Sequence, residues 1–157
     1  MTGTLFLLIM HAAVTWFMAG LIWFVQWVHY PLMAMVAQEE YASYHRSHMQ
    51  RITWLVVPAM LLELLSALLL LTIRPPDLPM AWAILGLALL VLIWACTFFL
   101  IVPQHNRLEE GFDERVHHLL LSYNWTRTLL WSARAVLVAY MLYHILLSDK
   151  MFSVPAS

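Results

Sequence analysis

The chain has 157 residues, 63% of them hydrophobic and 11% charged, with a formal net charge of −1, eight histidines, eight tryptophans and one cysteine. A soluble domain carries about 25% charged residues, so this composition excludes a water-soluble globular fold, and the near-neutral charge excludes the basic surface of a nucleic-acid-binding protein. With Cys96 alone, an internal disulfide and a cysteine-based zinc or iron–sulfur site within one chain are excluded too.

Four apolar runs, 5–28, 52–73, 80–103 and 119–147, reach the roughly 20 residues that cross a bilayer core as helix. They predict an all-α, integral membrane, up-down-up-down four-helix bundle that takes up 1–157 as one domain. The first run lacks a basic leading segment and a small-residue cleavage site, so a retained helix is expected rather than a secretion signal. It reads on through "WVHYPLMAMVAQEEYASYH", with Pro31 expected to bend it.

The second run is entered through "YHRSH", where His45 and His48 share a helix face by their i, i+3 spacing. His11 and His29 on the first helix are 18 residues apart, as are His45 and Glu63 on the second, a separation of five turns or about 27 Å. Because the helices are antiparallel neighbours, His29 is expected to meet His45 at one surface while His11 meets Glu63 deeper in. The loop "RPPDLP", Arg74 to Pro79, allows only a tight hairpin into the third run. That run holds no strong polar group beyond Cys96 and Thr97, so it reads as a packing and lipid-facing helix.

The fourth helix is expected to begin near Asp113, with "DERVHH" placing acids in its first turn. Asn124, Arg127, Thr128, Trp131 and Arg134 recur at helical period as one stripe that reaches back to His117. The stripe must face the bundle interior, because an arginine in lipid near the midplane costs at least about 2.5 kcal/mol. Glu63, halfway along its span, needs a partner, and Arg134 is the economical one. This pair either carries function or merely fixes helix register. Two arginines for one glutamate leave an excess positive charge, which suits an anionic guest such as a haem propionate, a carboxylated substrate or a quinone or phenolate oxygen.

Histidines are uneven: His29, His45, His48, His105, His117 and His118 all map to the side that holds the connections 29–51 and 104–118, leaving His11 and His144 towards the other. Amphipathic histidine suits any interface. A cluster beside Glu39, Glu40, Glu109, Glu110, Asp113 and Glu114 also suits a metal ion, and imidazole with carboxylate favours iron, copper, manganese or zinc. The same side carries Arg46, Arg51, Arg107 and Arg115 against Arg74 and Lys150 opposite. The positive-inside rule then makes it cytoplasmic, in an inner (cytoplasmic) membrane with both termini outside. The connections "QEEYASYHRSH" and "QHNRLEEGFDERVHH" resemble each other, through duplication or through shared interfacial demands.

The strings "GLIWFVQWVHYPLM", "YHRSHMQRITWLVVPAMLLE", "PQHNRLEEGFD" and "NWTRTLLWSAR" resemble a family of small bacterial four-helix membrane proteins known mainly as hypothetical proteins. More distantly, "HAAVTWFMAGL" is similar to the first helix of the membrane protoporphyrinogen oxidase family, and the whole to anthrone-oxygenase-like bundles. The former resemblance implies that His11 is a haem ligand.

The expected function is a membrane-embedded metal- or haem-dependent oxidoreductase acting on a lipophilic or planar substrate. Glu63, Arg127 and Arg134 are its candidate catalytic residues, His11, Asn124 and Trp131 its candidate cofactor contacts, and His29, His45, His48, His105, His117 and His118 its candidate metal ligands. The cofactor would be haem or a non-haem metal ion. The alternatives are a proton-coupled transporter of a small solute or metal, and a non-catalytic membrane subunit. Expected partners are the lipid bilayer, a lipophilic or anionic small molecule and, in a homo-oligomer, further copies of the chain.

Overall fold

A computed structural model describes residues 2–152. Four continuous helices follow one another. Helix α1 runs through Thr2–Phe24, a π-helical turn Val25–His29 and a last turn Tyr30–Met33; α2 is Gln38–Thr72. Helix α3 runs through Met80–Cys96, a second π-helical turn Thr97–Ile101 and Val102–Leu108; α4 is Glu114–Phe152. Each is long and apolar enough to cross a bilayer, and among the described residues there is no strand.

The helices form a ring in which α1 and α3 each pack on both α2 and α4, the up-down-up-down arrangement the four runs predict. Its outward face is apolar, with Trp54 78% and Phe99 77% exposed among many leucines. In water so large an apolar surface would aggregate, whereas in a bilayer it is solvated by lipid. The chain is a multi-pass membrane protein.

The first helix passes Pro31 but does not read on through the connection as expected: α1 ends at Met33, and α2 begins afresh after Ala37, whose backbone is extended (φ −55, ψ 140). The helix tolerates Pro31 because the proline follows the wide turn Val25–His29, where the ladder of i to i−4 bonds is already interrupted and a missing N–H matters little. Helix α3 repeats the device, with Pro103 just after Thr97–Ile101. In both helices the proline stands six positions beyond the first residue of the wide turn. The likeness between the two halves thus extends from their connections into their helices.

Helix α4 starts as expected: the Asp113 carboxylate accepts the Val116 backbone N–H at 2.9 Å, satisfying one of the open donors of the first turn. Ahead of it, Gly111 (φ 149) takes the positive φ that reverses the chain after α3.

Candidate functional site

Two polar layers lie inside the bundle. The deeper one gathers His11 of α1, Glu63 of α2 and Arg134 of α4, as the 18-residue spacings and the arginine stripe anticipate. Arg134 donates from Nε to Glu63 Oε1 at 3.2 Å and from a terminal nitrogen to Oε2 at 2.8 Å. It also donates to the Gly86 carbonyl of α3 and, at 3.1 Å, to His11 Nε2. His11 Nε2 is therefore unprotonated, and the ring proton sits on Nδ1, 2.7 Å from Ser66 Oγ and 3.2 Å from Glu63 Oε2. The Thr15 hydroxyl bonds Glu63 Oε1 and lies 2.8 Å from the His11 carbonyl oxygen. One positive and one negative charge cancel, and both His11 nitrogens are engaged. An iron ligated by His11 would have to displace either Arg134 or the Ser66 and Glu63 contacts.

Above this triad, towards the long connections, the bundle is apolar. Met18 and Ile22, Met60, Leu90 and Ile93, and Trp131, one group from each helix, pack together there. Trp131 is wholly buried, with no partner for its Nε1. It packs as a core side chain one helical turn from Arg134.

The upper layer centres on His105 of α3. Its Nε2 lies 2.9 Å from the Tyr30 hydroxyl and its Nδ1 lies 3.1 Å from His45 Nε2. Ring centroids of His45, His48 and His105 are 5.3, 6.1 and 6.4 Å apart, and His29 packs on His48 at 4.2 Å with the rings tilted by 31°. The expected meeting of His29 with His45 is thus corrected: His29 pairs with His48. His45 turns into the bundle, fully buried, towards α3, which leaves its i+3 neighbour facing α1. His45 Nδ1, His29 Nε2 and the Tyr41 hydroxyl have no hydrogen-bond partner.

The other two expected ligands lie apart. His117 donates from Nε2 to the Tyr30 carbonyl oxygen at 2.8 Å, closing the C-terminal end of α1 as a side-chain cap. His118 is 71% exposed and 3.9 Å from Glu114. Among the described residues, no three His, Cys, Asp or Glu side chains are already arranged to hold a metal ion. Asn124 donates to Gln26 Oε1 at 2.8 Å and leaves its own Oδ1 without a partner.

Between the imidazoles and the apolar layer lies a cavity of about 170 Å³. Tyr30, His48 and His105 meet it from one end, Met60 and Trp94 from the other, and Arg127 from α4. Thr97, Phe98 and Ile101, three residues of the π-helical turn in α3, form much of one wall. A wide turn is a frequent feature of functional sites, and here it sets the cavity wall. An outer cleft of about 750 Å³, lined by His29, Glu40, Tyr44 and Arg51, shares His48 and Ile52 with the cavity. Those two side chains form the partition between the two spaces.

The expectation that the run 80–103 only packs and faces lipid is corrected here, since the Gly86 carbonyl accepts from Arg134 and Trp94 and Thr97 line the cavity. Thr15 and Ser66 carried a usable signal, standing at i+4 from His11 and i+3 from Glu63 on the same faces. Gln26 and Tyr30 carried less, because the wide turn Val25–His29 shifts their direction.

A four-helix membrane bundle with one closed charged layer and one open imidazole layer is the class that fold and site define. Comparison with protein-family models, characterised proteins and solved structures finds no match for this chain.

Proposed function

We propose that this chain is a membrane-embedded oxidoreductase acting on a lipophilic substrate, with its chemistry at the imidazole layer and its Glu63–Arg134 layer serving as the structural lock. The observation that carries this reading is the bonded chain Tyr30–His105–His45, which ends at the cavity wall and leaves His45 Nδ1 free. Such a chain moves protons to or from a substrate oxygen, as oxidation or reduction of a phenol or quinone requires.

The residues that would hold a non-haem metal ion are His45, His48 and His105, with His29 behind His48. Two nitrogens bound to one tetrahedral ion at about 2.0–2.1 Å stand about 3.4 Å apart, and His45 Nε2 and His105 Nδ1 stand 3.1 Å apart, so a bound ion would replace the hydrogen bond between them and leave the Tyr30 hydroxyl as the proton carrier at the cavity. The Tyr30 hydroxyl on the other nitrogen of His105 is the kind of outer contact that orients a ligating imidazole. A bound ion would supply the electron-transfer step, and iron or copper suits imidazole ligands in that role. The arginine bias supports an inner-membrane placement in which this layer faces the cytoplasm and both termini lie outside.

The test is elemental analysis and an absorption spectrum of protein purified in mild detergent without chelators. The expected result is about one iron or copper per chain, lost in His45→Ala and His105→Ala but kept in His118→Ala. Metal-free protein, or metal retained in both inner variants, overturns the reading.

A further inference from the structure

We infer that the cavity beneath the imidazole layer binds a lipophilic molecule whose single-ring head bears an anionic oxygen, a carboxylate or phenolate, held by Arg127 and entered sideways from the bilayer between α2 and α3. As the substrate of the proposed oxidoreductase this molecule rests on that reading, whereas its binding can be measured without any metal.

The argument starts from charge. Of the two arginines buried within the bundle, Arg134 is matched by Glu63, while Arg127 makes no hydrogen bond or ion pair among the described residues. Arg127 is only 6% exposed, and its Nε faces no acceptor. A guanidinium is always charged and presents five N–H donors in a fixed fork. Leaving it buried and unpaired is unfavourable, so the position makes sense where a ligand brings the missing negative charge.

The rest of the wall points the same way. Trp94 Nε1, a second buried donor on the cavity, has no acceptor either. The Thr97 hydroxyl is committed to the Ile93 carbonyl at 2.8 Å. Two donors on the cavity, Arg127 and Trp94, thus lack an acceptor, which favours a head that only accepts. An oxygen anion meets that demand, and an alcohol or amine does not.

Size and access set the remainder of the molecule. An apolar cavity of about 150 Å³ takes a benzene ring, so about 170 Å³ takes one substituted ring. Ile52, Val56 and Val57 of α2 and Phe98 of α3 give the cavity its apolar wall on those two helices. Val57 is 44% and Phe98 55% exposed on the lipid-facing surface. The seam between α2 and α3 therefore leads from bilayer to cavity, and an alkyl tail can stay in lipid while the ring lies inside.

The experiment uses the full chain in lipid nanodiscs, with and without chelator treatment, titrated calorimetrically with 4-hexylbenzoate and, at alkaline pH, with 4-hexyl-2-nitrophenolate. Empty nanodiscs provide the partitioning baseline. Saturable binding of one of these anions, at least about tenfold tighter than that of uncharged 4-hexylbenzyl alcohol, is expected, and the tighter anion distinguishes carboxylate from phenolate. Arg127→Gln should weaken it about tenfold or more, and Arg127→Lys should restore part of it. Should Arg127→Gln fail to fold, Val56→Trp, which fills the cavity from α2 and keeps the arginine, should abolish binding. Equal binding of the neutral alcohol, unchanged binding in Arg127→Gln or Val56→Trp, or no saturable binding at all overturns the inference. Binding by metal-stripped protein keeps the site even if the oxidoreductase reading fails, and metal without probe binding does the reverse.

Discussion

The Glu63 carboxylate holds the Arg134 guanidinium side-on, with Nε to Oε1 at 3.2 Å and a terminal nitrogen to Oε2 at 2.8 Å, both residues fully buried. The pair joins α2 to α4 across the bundle diagonal, and through His11 and the Gly86 carbonyl it also touches α1 and α3. Removing one partner leaves a bare charge in an apolar interior, which destabilises by about 3–5 kcal/mol, whereas replacing both by apolar residues is far milder. Glu63→Leu and Arg134→Leu are each expected to lower the thermal unfolding midpoint strongly in detergent, and the double variant to recover most of the loss. Additive losses would show that the pair is not the lock described.

His105 sits at the centre of the upper layer, so His105→Ala removes two hydrogen bonds at once, to Tyr30 and to His45. With an added electron acceptor for a phenol, or an added electron donor for a quinone, turnover of the lipophilic substrate by the purified protein should fall by at least about a hundredfold, the range typical of a lost general acid or base. His118, 71% exposed and loosely near Glu114, is the matched control: surface pairs contribute about 0–1 kcal/mol, and its alanine variant should keep both activity and stability. Equal effects of the two substitutions would argue against a site at His105.

His117 supplies the buried donor that satisfies the Tyr30 carbonyl at the end of α1. An acceptor left buried without its donor costs about 1–3 kcal/mol. His117→Ala should therefore destabilise by about that amount in a denaturant titration, with His117→Gln recovering part because its amide can donate. Release of bound metal with no change in stability would instead make His117 a ligand.

The wide turn Thr97–Ile101 offers a structural test. Deleting Phe99, which is 77% exposed and faces lipid, removes the extra residue that makes the turn wide, and Pro103→Ala is made with it because a proline is poorly tolerated in the regular helix that results. Residues on either side should keep their facing while α3 becomes regular and the cavity wall moves. The bundle should still fold, by circular dichroism and size exclusion, and binding of 4-hexylbenzoate should drop about tenfold. Unchanged binding would mean that the turn does not shape the cavity.

The helix count and the deep triad were legible because both depend on one dimension of the sequence. Apolar length sets the spans, and the spacing of His11, Glu63 and Arg134 along straight helical stretches fixes their depth and face. Legibility declined where the helices stop being regular. His29 lies within a π-helical turn, so a periodicity of 3.6 misplaces it, and it meets His48 instead of His45. Thr97 and Trp94 looked like packing residues because a cavity between helices is a property of the assembled bundle rather than of any segment. His117 shows a further limit: whether an imidazole caps a carbonyl or binds a metal depends on which neighbour arrives, in this case Tyr30 from a helix distant in sequence.

The layer of Met18, Ile22, Met60, Leu90, Ile93 and Trp131 has an electrical consequence. It stands as an insulator between two floors that both carry ionisable groups. Among the described residues, none of the hydrogen bonds of the imidazole layer or of the triad crosses it, so the two are separate networks, and a charge placed in one is felt only weakly by the hydrogen bonds of the other.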